Sequence, residues 1–257
     1  MRRVIFNQKG GVGKSTITCN LAAIEATQGK RTLVIDLDAQ ANATRYLLGK
    51  HNGHNLPTLV DFFDQMLSLV NFGAKDIDHF IHETPFEGLF IMPSHRELET
   101  LQDKLMSRYK VYKLRDALNK LSDHFDAVYI DTPPAMNFYT RSALIASDRC
   151  LIPFDCDDFS RQALYTLLEN VQEIREDHND KLSVEGIIVN QFQARARLPQ
   201  KLVKEMKEEG LPVLNTCISA SVKIRESHED MSPMIHMAPY HKVTQEFLAL
   251  HKELNNS

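Results

Sequence analysis

Short apolar runs recur along the chain, and none of them alternates between apolar and polar positions. A continuous apolar run is typical of a strand that is covered on both faces, as in a parallel sheet flanked by helices. The predicted strands are residues 4–6, 32–35, 89–92, 127–130, 150–152 and 186–189.

Longer segments between these runs carry apolar residues at helical spacing. In the first of them, Ile17, Leu21 and Ile24 share one face, and Gly29 follows where the helix would end. The predicted helices are residues 14–28, 98–106, 111–121 and 162–174. Residues 51–87 show no regular pattern, so no element is predicted there.

The alternation of strands and helices predicts an α/β fold with a doubly wound, mainly parallel sheet flanked by helices. No repeat, low-complexity tract or Pro/Gly/Ser-rich linker interrupts the sequence, so we expect a single domain over residues 1–257. Ligands of such sheets bind at the carboxyl ends of the strands. The functional residues are therefore expected where the predicted strands end.

The composition is that of an ordinary globular protein, with 43% hydrophobic and 25% charged residues and a net charge of −4. Because the net charge is slightly negative, contact with nucleic acid would depend on a local basic patch. The four cysteines form no CxxC pair and lack zinc-ligand spacing, so buried thiols are expected. Neither a signal peptide nor a membrane span is evident, which predicts a cytoplasmic protein.

A glycine-rich segment follows the first predicted strand and precedes the first predicted helix. Glycines there let successive backbone N–H groups turn towards phosphate oxygens, and the helix adds the positive end of its dipole. Lys14 would neutralise charge on the β- and γ-phosphates, and the Ser15 hydroxyl would bind Mg²⁺. The predicted ligands are therefore ATP and Mg²⁺. The residues predicted to hold them are Lys9, Gly10, Gly11, Val12, Gly13, Lys14, Ser15 and Thr16.

Acidic residues end two of the predicted strands. Asp36 and Asp38 follow the second run, and Asp131 follows the fourth. Such an aspartate is often only a turn or cap residue, but a phosphate loop nearby favours a catalytic role. Asp38 is predicted to orient or deprotonate the attacking water, and Asp131 to hold the magnesium shell. The predicted metal site thus consists of Ser15, Asp38 and Asp131.

Lys9, at the start of the glycine-rich segment, is not needed to hold phosphate within one subunit. A cation at this position could reach the phosphates of a facing subunit and stabilise charge as an arginine finger does. The alternative is an exposed lysine without a role in the site.

Several segments resemble the ParA/MinD family of deviant Walker A ATPases, and the ParA branch most of all. Residues 7–16 (Asn-Gln-Lys-Gly-Gly-Val-Gly-Lys-Ser-Thr) resemble the family's phosphate-loop signature. Residues 36–44 are similar to its Asp-Leu-Asp-Pro-Gln-Gly-Asn-Ala-Thr segment, and residues 131–134 to its Walker B motif. The likeness extends through residues 189–191 and 221–226, so it covers nearly the whole chain.

The resemblance implies roles for individual residues. Lys9 would act across an ATP-sandwiched homodimer, and Asp38 would position the water. Asn190 would contact the adenine, and the turn at Ile218 and Ser219 would close over it.

Three positions depart from the family pattern. Ala39 and Ala41 replace a proline and a glycine in the segment that carries Asp38, which would stiffen or re-aim it. Ser219 stands where a proline is common, which would change the contact with the adenine.

Proteins of the ParA branch typically use ATP to switch between a DNA-bound dimer and a released form, and a ParB-like or adaptor protein stimulates hydrolysis. The resemblance therefore implies a nucleoid-associated ATPase that binds DNA non-specifically and positions or partitions a cargo. Basic side chains would bind phosphates without reading bases, whereas the alternative is a solvated helix face. The candidate DNA contacts are Arg195, Arg197, Lys201 and Lys204 in one cluster, and Lys223 and Arg225 in another.

Only about eight residues precede the glycine-rich segment, so the short type of ParA protein without an N-terminal helix-turn-helix is expected.

Two alternative functions remain open at this point. A MinD-like membrane-surface switch needs a terminal amphipathic helix with a basic polar face. Here the apolar stripe at positions 243, 247, 250 and 254 is narrow and lies opposite mixed charges, so we expect it to pack on the protein and expect no membrane partner. A biosynthetic P-loop enzyme of the amidoligase type would need a substrate domain or pocket that the sequence does not show.

Overall fold

The strands of the described residues form one sheet in the order β3-β4-β2-β5-β1-β6-β7. The computed structural model describes residues 1–49, 56–68, 74–156 and 161–256. All neighbouring strands are parallel except β3 and β4, so the predicted doubly wound, mainly parallel fold is confirmed. The strands are β1 Arg2–Ile5, β2 Thr32–Asp36, β3 His82–Glu83, β4 Leu89–Met92, β5 Ala127–Asp131, β6 Arg149–Asp155 and β7 Ser183–Asn190.

Helices connect the strands, and the four predicted ones correspond to α1, α4, α5 and α7. Two short 3₁₀ turns, Ile77–Phe80 and Lys110–Tyr112, are also present. The helices are α1 Lys14–Thr27, α2 Asn42–Leu48, α3 Leu59–Gln65, α4 Leu98–Ser107, α5 Lys113–Lys120, α6 Phe138–Ala146, α7 Arg161–Asp177, α8 Arg197–Glu208, α9 Val222–Glu229, α10 Met234–Met237 and α11 Lys242–Asn255.

Short elements lie in much of the segment 51–87, for which the sequence predicts no element. Thr58 caps α3, because its hydroxyl accepts from the Val60 N–H (3.1 Å) and its own N–H donates to Asp61 (2.8 Å). β3 then pairs with β4 as an antiparallel edge. Both α3 and β3 are too short to show a periodic pattern. Residues 51–55 and 69–73 of this segment lie outside the described residues.

Two apolar cores lie on opposite faces of the sheet. Val4 of β1 and Phe6, which directly follows the strand, pack into one core, whereas Ile5, which points to the other face, packs into the second. Each strand of the centre is therefore buried on both sides. This explains why the apolar runs do not alternate.

The apolar stripe of α11 packs on α1, as expected, and not towards solvent. Its four apolar side chains are at most 3% exposed. Beside them, the ring of His251 of α11 hydrogen-bonds to the buried carboxylate of Glu25 of α1. The stripe consists of Val243, Phe247, Leu250 and Leu254. None of the helices in the described ranges has the length and apolar composition needed to cross a bilayer.

None of the four cysteines, all of which lie among the described residues, forms a disulfide. Cys19, Cys150 and Cys156 are buried, as expected, whereas Cys217 is half-buried. Burial raises the pKa of the Cys19 and Cys150 thiols, which makes a thiolate at either position unfavourable.

Candidate nucleotide site

The glycine-rich segment forms a loop between β1 and α1, at the carboxyl edge of the sheet. Gly11 (φ 78°) and Gly13 (φ 88°) have left-handed backbone conformations that favour glycine. A Cβ atom on Gly13 would also clash with the Asn190 amide. The loop runs into the first turn of α1, whose N–H groups and dipole favour a bound phosphate. Gly10 and Gly11 are exposed, so the loop is accessible from one side.

Lys9 and Lys14 meet at the start of the loop. Asn7 holds this point in place: its Oδ1 accepts from the Lys9 N–H (2.9 Å), and its Nδ2 donates to the Pro153 carbonyl (2.7 Å). The Lys14 ammonium donates to the Lys9 carbonyl (3.0 Å). Burial lowers the pKa of Lys14, an effect that Asp131 opposes. The phosphates of a nucleotide would add further negative charge and favour the protonated lysine.

Two side chains at the end of β7 brace the loop from the other side. Asn190 donates from Nδ2 to the Val12 carbonyl (2.9 Å), and Gln191 donates from Nε2 to the Gly11 carbonyl (3.0 Å). Asn190 therefore lies at the phosphate loop, and its contact with the adenine stays a prediction. The bracing role of Gln191 was missed, because the sequence gives no sign that β7 ends beside a loop 180 residues earlier.

Asp131 lies at the end of β5, fully buried beneath the loop. Its carboxylate lies near the Ser15 hydroxyl, but neither oxygen makes a hydrogen bond of good geometry with any described residue. Burial, and next the neighbouring Asp36 carboxylate, raise the pKa of Asp131 well above its usual value. A buried carboxylate without hydrogen bonds, next to a hydroxyl, fits Mg²⁺, which prefers oxygen ligands.

Most of the remaining ligands of Mg²⁺ would come from phosphate and water. No cluster of three or more His, Cys, Asp or Glu side chains among the described residues has the arrangement of a metal site. Mg²⁺ commonly binds through one or two protein groups and the phosphates of the nucleotide.

Asp36 lies opposite Asp131 in the sheet and organises the segment that follows β2. Its carboxylate accepts from the Thr44 N–H (2.7 Å), the Thr44 hydroxyl (2.8 Å) and the Asp38 N–H (3.2 Å). Burial raises the pKa of Asp36 to about 7, although these hydrogen bonds oppose the effect. Ser94 extends the network, since its hydroxyl donates to the Asp38 carbonyl (2.6 Å). The sequence pointed to Asp36 only as one of two paired carboxylates.

Asp38 is nearly buried beside the loop, and its Oδ1 accepts from the Gln40 N–H (2.9 Å). Its own carbonyl accepts from the Ala41 N–H (2.8 Å), which closes a tight turn. Ala41 has φ 53° and precedes α2 directly. The replacement of glycine by Ala41 therefore falls at a left-handed residue, and the turn is kept despite the Cβ.

The segment that includes Ile218 and Ser219 forms part of the wall beyond Asn190. Ile218 is buried and donates from its N–H to the Val189 carbonyl at the end of β7 (2.8 Å). Ser219 donates to the Glu246 carboxylate of α11 through its N–H (2.8 Å) and its hydroxyl (2.6 Å). The Ser219 hydroxyl is therefore bound to α11.

The predicted DNA contacts lie on two different helices and in the segment before α8. Arg195 and Arg197 are exposed. Lys201 and Lys204 of α8 form ion pairs with glutamates one turn further on, each at 3.6 Å. Lys223 of α9 pairs with Glu226 at 2.7 Å. Arg225, also on α9, lines a cavity next to the phosphate loop.

Comparison with known proteins assigns the family. Residues 3–184 match a family described as an AAA domain. The chain is 30% identical to the chromosome partitioning protein ParA of Myxococcus xanthus, over 97% of this chain and 86% of that protein. It is 31% identical to the sporulation initiation inhibitor protein Soj of Bacillus subtilis, over 97% of this chain and 96% of Soj.

The chain belongs to the ParA branch of the ParA/MinD ATPases. The ParA-type fold is also that of McdA from Cyanothece, with a TM-score of 0.85, 24% identity and 98% coverage of both chains. Cobyrinic acid a,c-diamide synthase from Mycobacterium smegmatis, bound to an ATP analogue and magnesium, is similar at a TM-score of 0.75. The two chains share 25% sequence identity, and the match covers 94% of this chain and 97% of the synthase chain.

This ParA-family protein is a P-loop ATPase of the partitioning class, and its cofactors are ATP and Mg²⁺. The ATP analogue and the magnesium bound to the diamide synthase agree with the loop, with the Lys14 ammonium and with the buried Asp131 carboxylate of this chain.

Proposed function

We propose that the chain forms an ATP-sandwiched homodimer that binds DNA non-specifically and positions or partitions a cargo through partner-stimulated ATP hydrolysis. The observation that carries this proposal is a phosphate loop that is exposed at Gly10 and Gly11 and begins with Lys9. A second copy that faces the loop would bring its own Lys9 to the phosphates. Similarity to a chromosome partitioning protein over 97% of the chain supports the class of function.

In the proposed reaction, water attacks the γ-phosphorus and ADP and inorganic phosphate are released. Lys14 and the amino end of α1 would bind the phosphate oxygens, and Ser15 and Asp131 would hold the metal. Mg²⁺, when bound, supplies positive charge that offsets the charge on the phosphates. Asp38 orients the water or accepts its proton.

The hydrogen bonding of Asp38 supports the involvement of a partner protein in hydrolysis. One of its carboxylate oxygens is engaged by the Gln40 N–H, within a segment held by Asp36, Thr44 and Ser94. Hydrolysis would be slow in this arrangement. A ParB-like or adaptor protein would stimulate it by shifting this segment, so that the carboxylate faces the water.

The DNA surface is proposed at Arg195, Arg197 and α8. The two arginines are exposed, and the ion pairs of Lys201 and Lys204 are exposed pairs of the kind that contribute about 0–1 kcal/mol. These lysines can therefore exchange a glutamate for a DNA phosphate at little cost. A cytoplasmic, nucleoid-associated location is part of this proposal.

The two alternatives are less well supported. A membrane-surface switch would need an apolar helix face for the lipid, whereas the apolar stripe of α11 is buried against α1. The amidoligase alternative shares the fold of the diamide synthase. The relatives that match over most of the chain at 30% identity or more include partitioning proteins.

The mass of the protein with and without MgATP, measured by light scattering after size exclusion, tests the homodimer. Asp38→Ala should block hydrolysis without loss of ATP binding, so this variant should accumulate as a dimer with MgATP. Adding Lys9→Ala should return it to a monomer that still binds ATP. Lys120→Ala, an exposed lysine at the end of α5, is the matched control and should leave the dimer intact. A normal dimer in the Lys9→Ala, Asp38→Ala protein would contradict the action of Lys9 across the dimer.

A further inference from the structure

A cavity of about 440 Å³ opens between the phosphate loop and α9. A nucleotide whose terminal phosphates lie in the loop must place its α-phosphate and ribose in the adjoining space, and this cavity adjoins the loop directly. Asn190 and residues 219–222 complete its wall. The loop contributes Gly11, Gly13 and Thr16 to the lining, and α9 contributes Ile224, Arg225 and His228.

His228 of α9 contacts the first turn of α1. Its Nε2 lies 2.9 Å from the Thr16 hydroxyl, and its ring stacks on Tyr46 with the ring centres 4.3 Å apart. The neighbouring Ser227 hydroxyl lies 2.9 Å from the Tyr46 hydroxyl. Burial lowers the pKa of His228, so the neutral ring is favoured. Because of these contacts, α9 is fixed in position relative to the phosphate loop.

Arg225 lies three residues before His228 and therefore on the same side of α9. The side chain is exposed at the cavity and makes no hydrogen bond or ion pair with any residue that the structure describes. Lys223 differs in this respect, since its ammonium lies 2.7 Å from the Glu226 carboxylate. The Arg225 guanidinium is thus the cation of α9 that is available to an anion in the cavity.

We infer that Arg225 binds the phosphate groups of ATP and ADP from the α9 side, and that His228 is the residue that positions α9 for this contact. A guanidinium suits this task, because it is always charged and presents several N–H donors to phosphate oxygens. The sequence alone placed Arg225 among the DNA contacts, and the cavity assigns it to the nucleotide. The inference depends on the nucleotide site and is independent of the proposed dimer and DNA surface.

Titration with a fluorescent ADP analogue in the presence of Mg²⁺, with unlabelled ADP as competitor, tests the role of Arg225. Arg225→Ala should weaken ADP binding about ten-fold, the order expected for the loss of one charge-assisted hydrogen bond. Arg225→Lys should lose less, because it keeps the charge. Lys223→Ala, on the same helix, is the matched control and should stay within about two-fold of the unaltered protein. Equal ADP affinity in the Arg225→Ala and unaltered proteins would overturn the inference.

A second measurement separates nucleotide binding from DNA binding. At saturating ATP, Arg225→Ala should bind random-sequence DNA as the unaltered protein does. Loss of DNA binding at saturating ATP, with unchanged affinity for ADP, would return Arg225 to the DNA surface. ADP binding does not require a dimer, so this test remains decisive even if the proposed DNA-binding dimer is wrong.

The positioning role of His228 has its own pair of variants. His228→Gln retains a group that can hydrogen-bond to the Thr16 hydroxyl, so it should keep most of the ADP affinity. His228→Ala removes that group and should weaken ADP binding. Equal affinities for ADP in both variants would contradict the role of His228.

Discussion

Two carboxylates lie side by side beneath the phosphate loop, because Asp36 of β2 and Asp131 of β5 are paired in the sheet. Burial raises the pKa of both, because two ionised carboxylates side by side in a buried site are unfavourable. Mg²⁺ would add positive charge to that of the nearby Lys14 ammonium. The Asp131 oxygens make no hydrogen bond of good geometry with the described residues, which leaves them available to a metal.

The left-handed turn at Ala41 leads to a prediction about stability. An L-residue with a Cβ atom loses about 1 kcal/mol in this conformation, and glycine does not. Part of that difference is offset, because glycine is more flexible in the unfolded chain. Ala41→Gly should therefore raise the free energy of unfolding by about 0.5 kcal/mol. Urea denaturation of the nucleotide-free protein measures this change in the free energy of unfolding.

Ala43→Gly is the control for this effect, since Ala43 lies two residues further on, in α2. A glycine inside a helix is less stable than alanine by about 1 kcal/mol, so this variant should lose stability. If both variants lost stability to the same extent, the strain assigned to Ala41 would be absent.

Individual site residues could be predicted where the residues that act together are close to one another in the sequence. The loop, Lys14 and the strand-ending acids could be recognised in this way, and the structure brings them together. The contact of His228 with Thr16 joins residues 212 positions apart, so no local sequence pattern predicts it. The hydrogen bond of Ser219 to Glu246 was missed for the same reason.

At the level of elements, the contact of α11 with α1 combines apolar packing with a buried charge. Glu25 accepts hydrogen bonds from His251 and Lys30. Although burial raises the pKa of Glu25, these contacts prevail and lower it to about 2. The usual pKa of a glutamate in an unfolded chain is about 4.3. The folded state therefore favours ionised Glu25 more strongly than the unfolded state does.

The sign of the pH dependence follows from that difference. The stabilisation by Glu25 is present above about pH 4.5 and disappears as the pH falls towards 2. Glu25→Gln should therefore lower the free energy of unfolding by about 3 kcal/mol at pH 7, the free energy that corresponds to the difference between the two pKa values of Glu25. The difference between the variant and the unaltered protein should shrink between pH 5 and pH 3. Urea denaturation at pH 7, 5 and 3 measures this difference in the free energy of unfolding.

Lys30→Met is a suitable control, because the Lys30 side chain is 43% exposed. An exposed partner contributes less, so this variant should lose under about 1 kcal/mol at pH 7. A constant difference between Glu25→Gln and the unaltered protein at all three pH values would contradict the ionic contribution.

Elements were predictable in proportion to their length and burial. Each apolar run became a strand, because strands covered on both faces need apolar residues at every position. α2 and α3, of seven residues each, span about two turns and carry no recognisable periodicity. The edge strand β3 has two residues and depends on its partner β4.

For the whole molecule, the strand order explains where the site lies. β1 lies between β5 and β6, and β2 and β7 lie one strand further out on either side. The carboxyl ends of these strands carry the loop, the acids and Asn190, so the sheet assembles the site from distant parts of the sequence. The basic residues proposed to bind DNA lie mainly on and before α8, which follows β7 directly.

The central claim is a switch in which ATP controls DNA binding, and the anisotropy of labelled random-sequence DNA tests it most directly. Binding should be measured without nucleotide, with ADP and with ATP, at two salt concentrations. The control for Arg195→Ala combined with Arg197→Ala is Lys104→Ala combined with Lys113→Ala, two exposed lysines on α4 and α5.

The account predicts tight binding with ATP alone. That binding should weaken as salt rises, because each DNA phosphate neutralised by the protein releases counterions. It should be lost when Arg195 and Arg197 are replaced, and kept in the control. Equal binding in all three nucleotide states, or no binding in any of them, would contradict the switch.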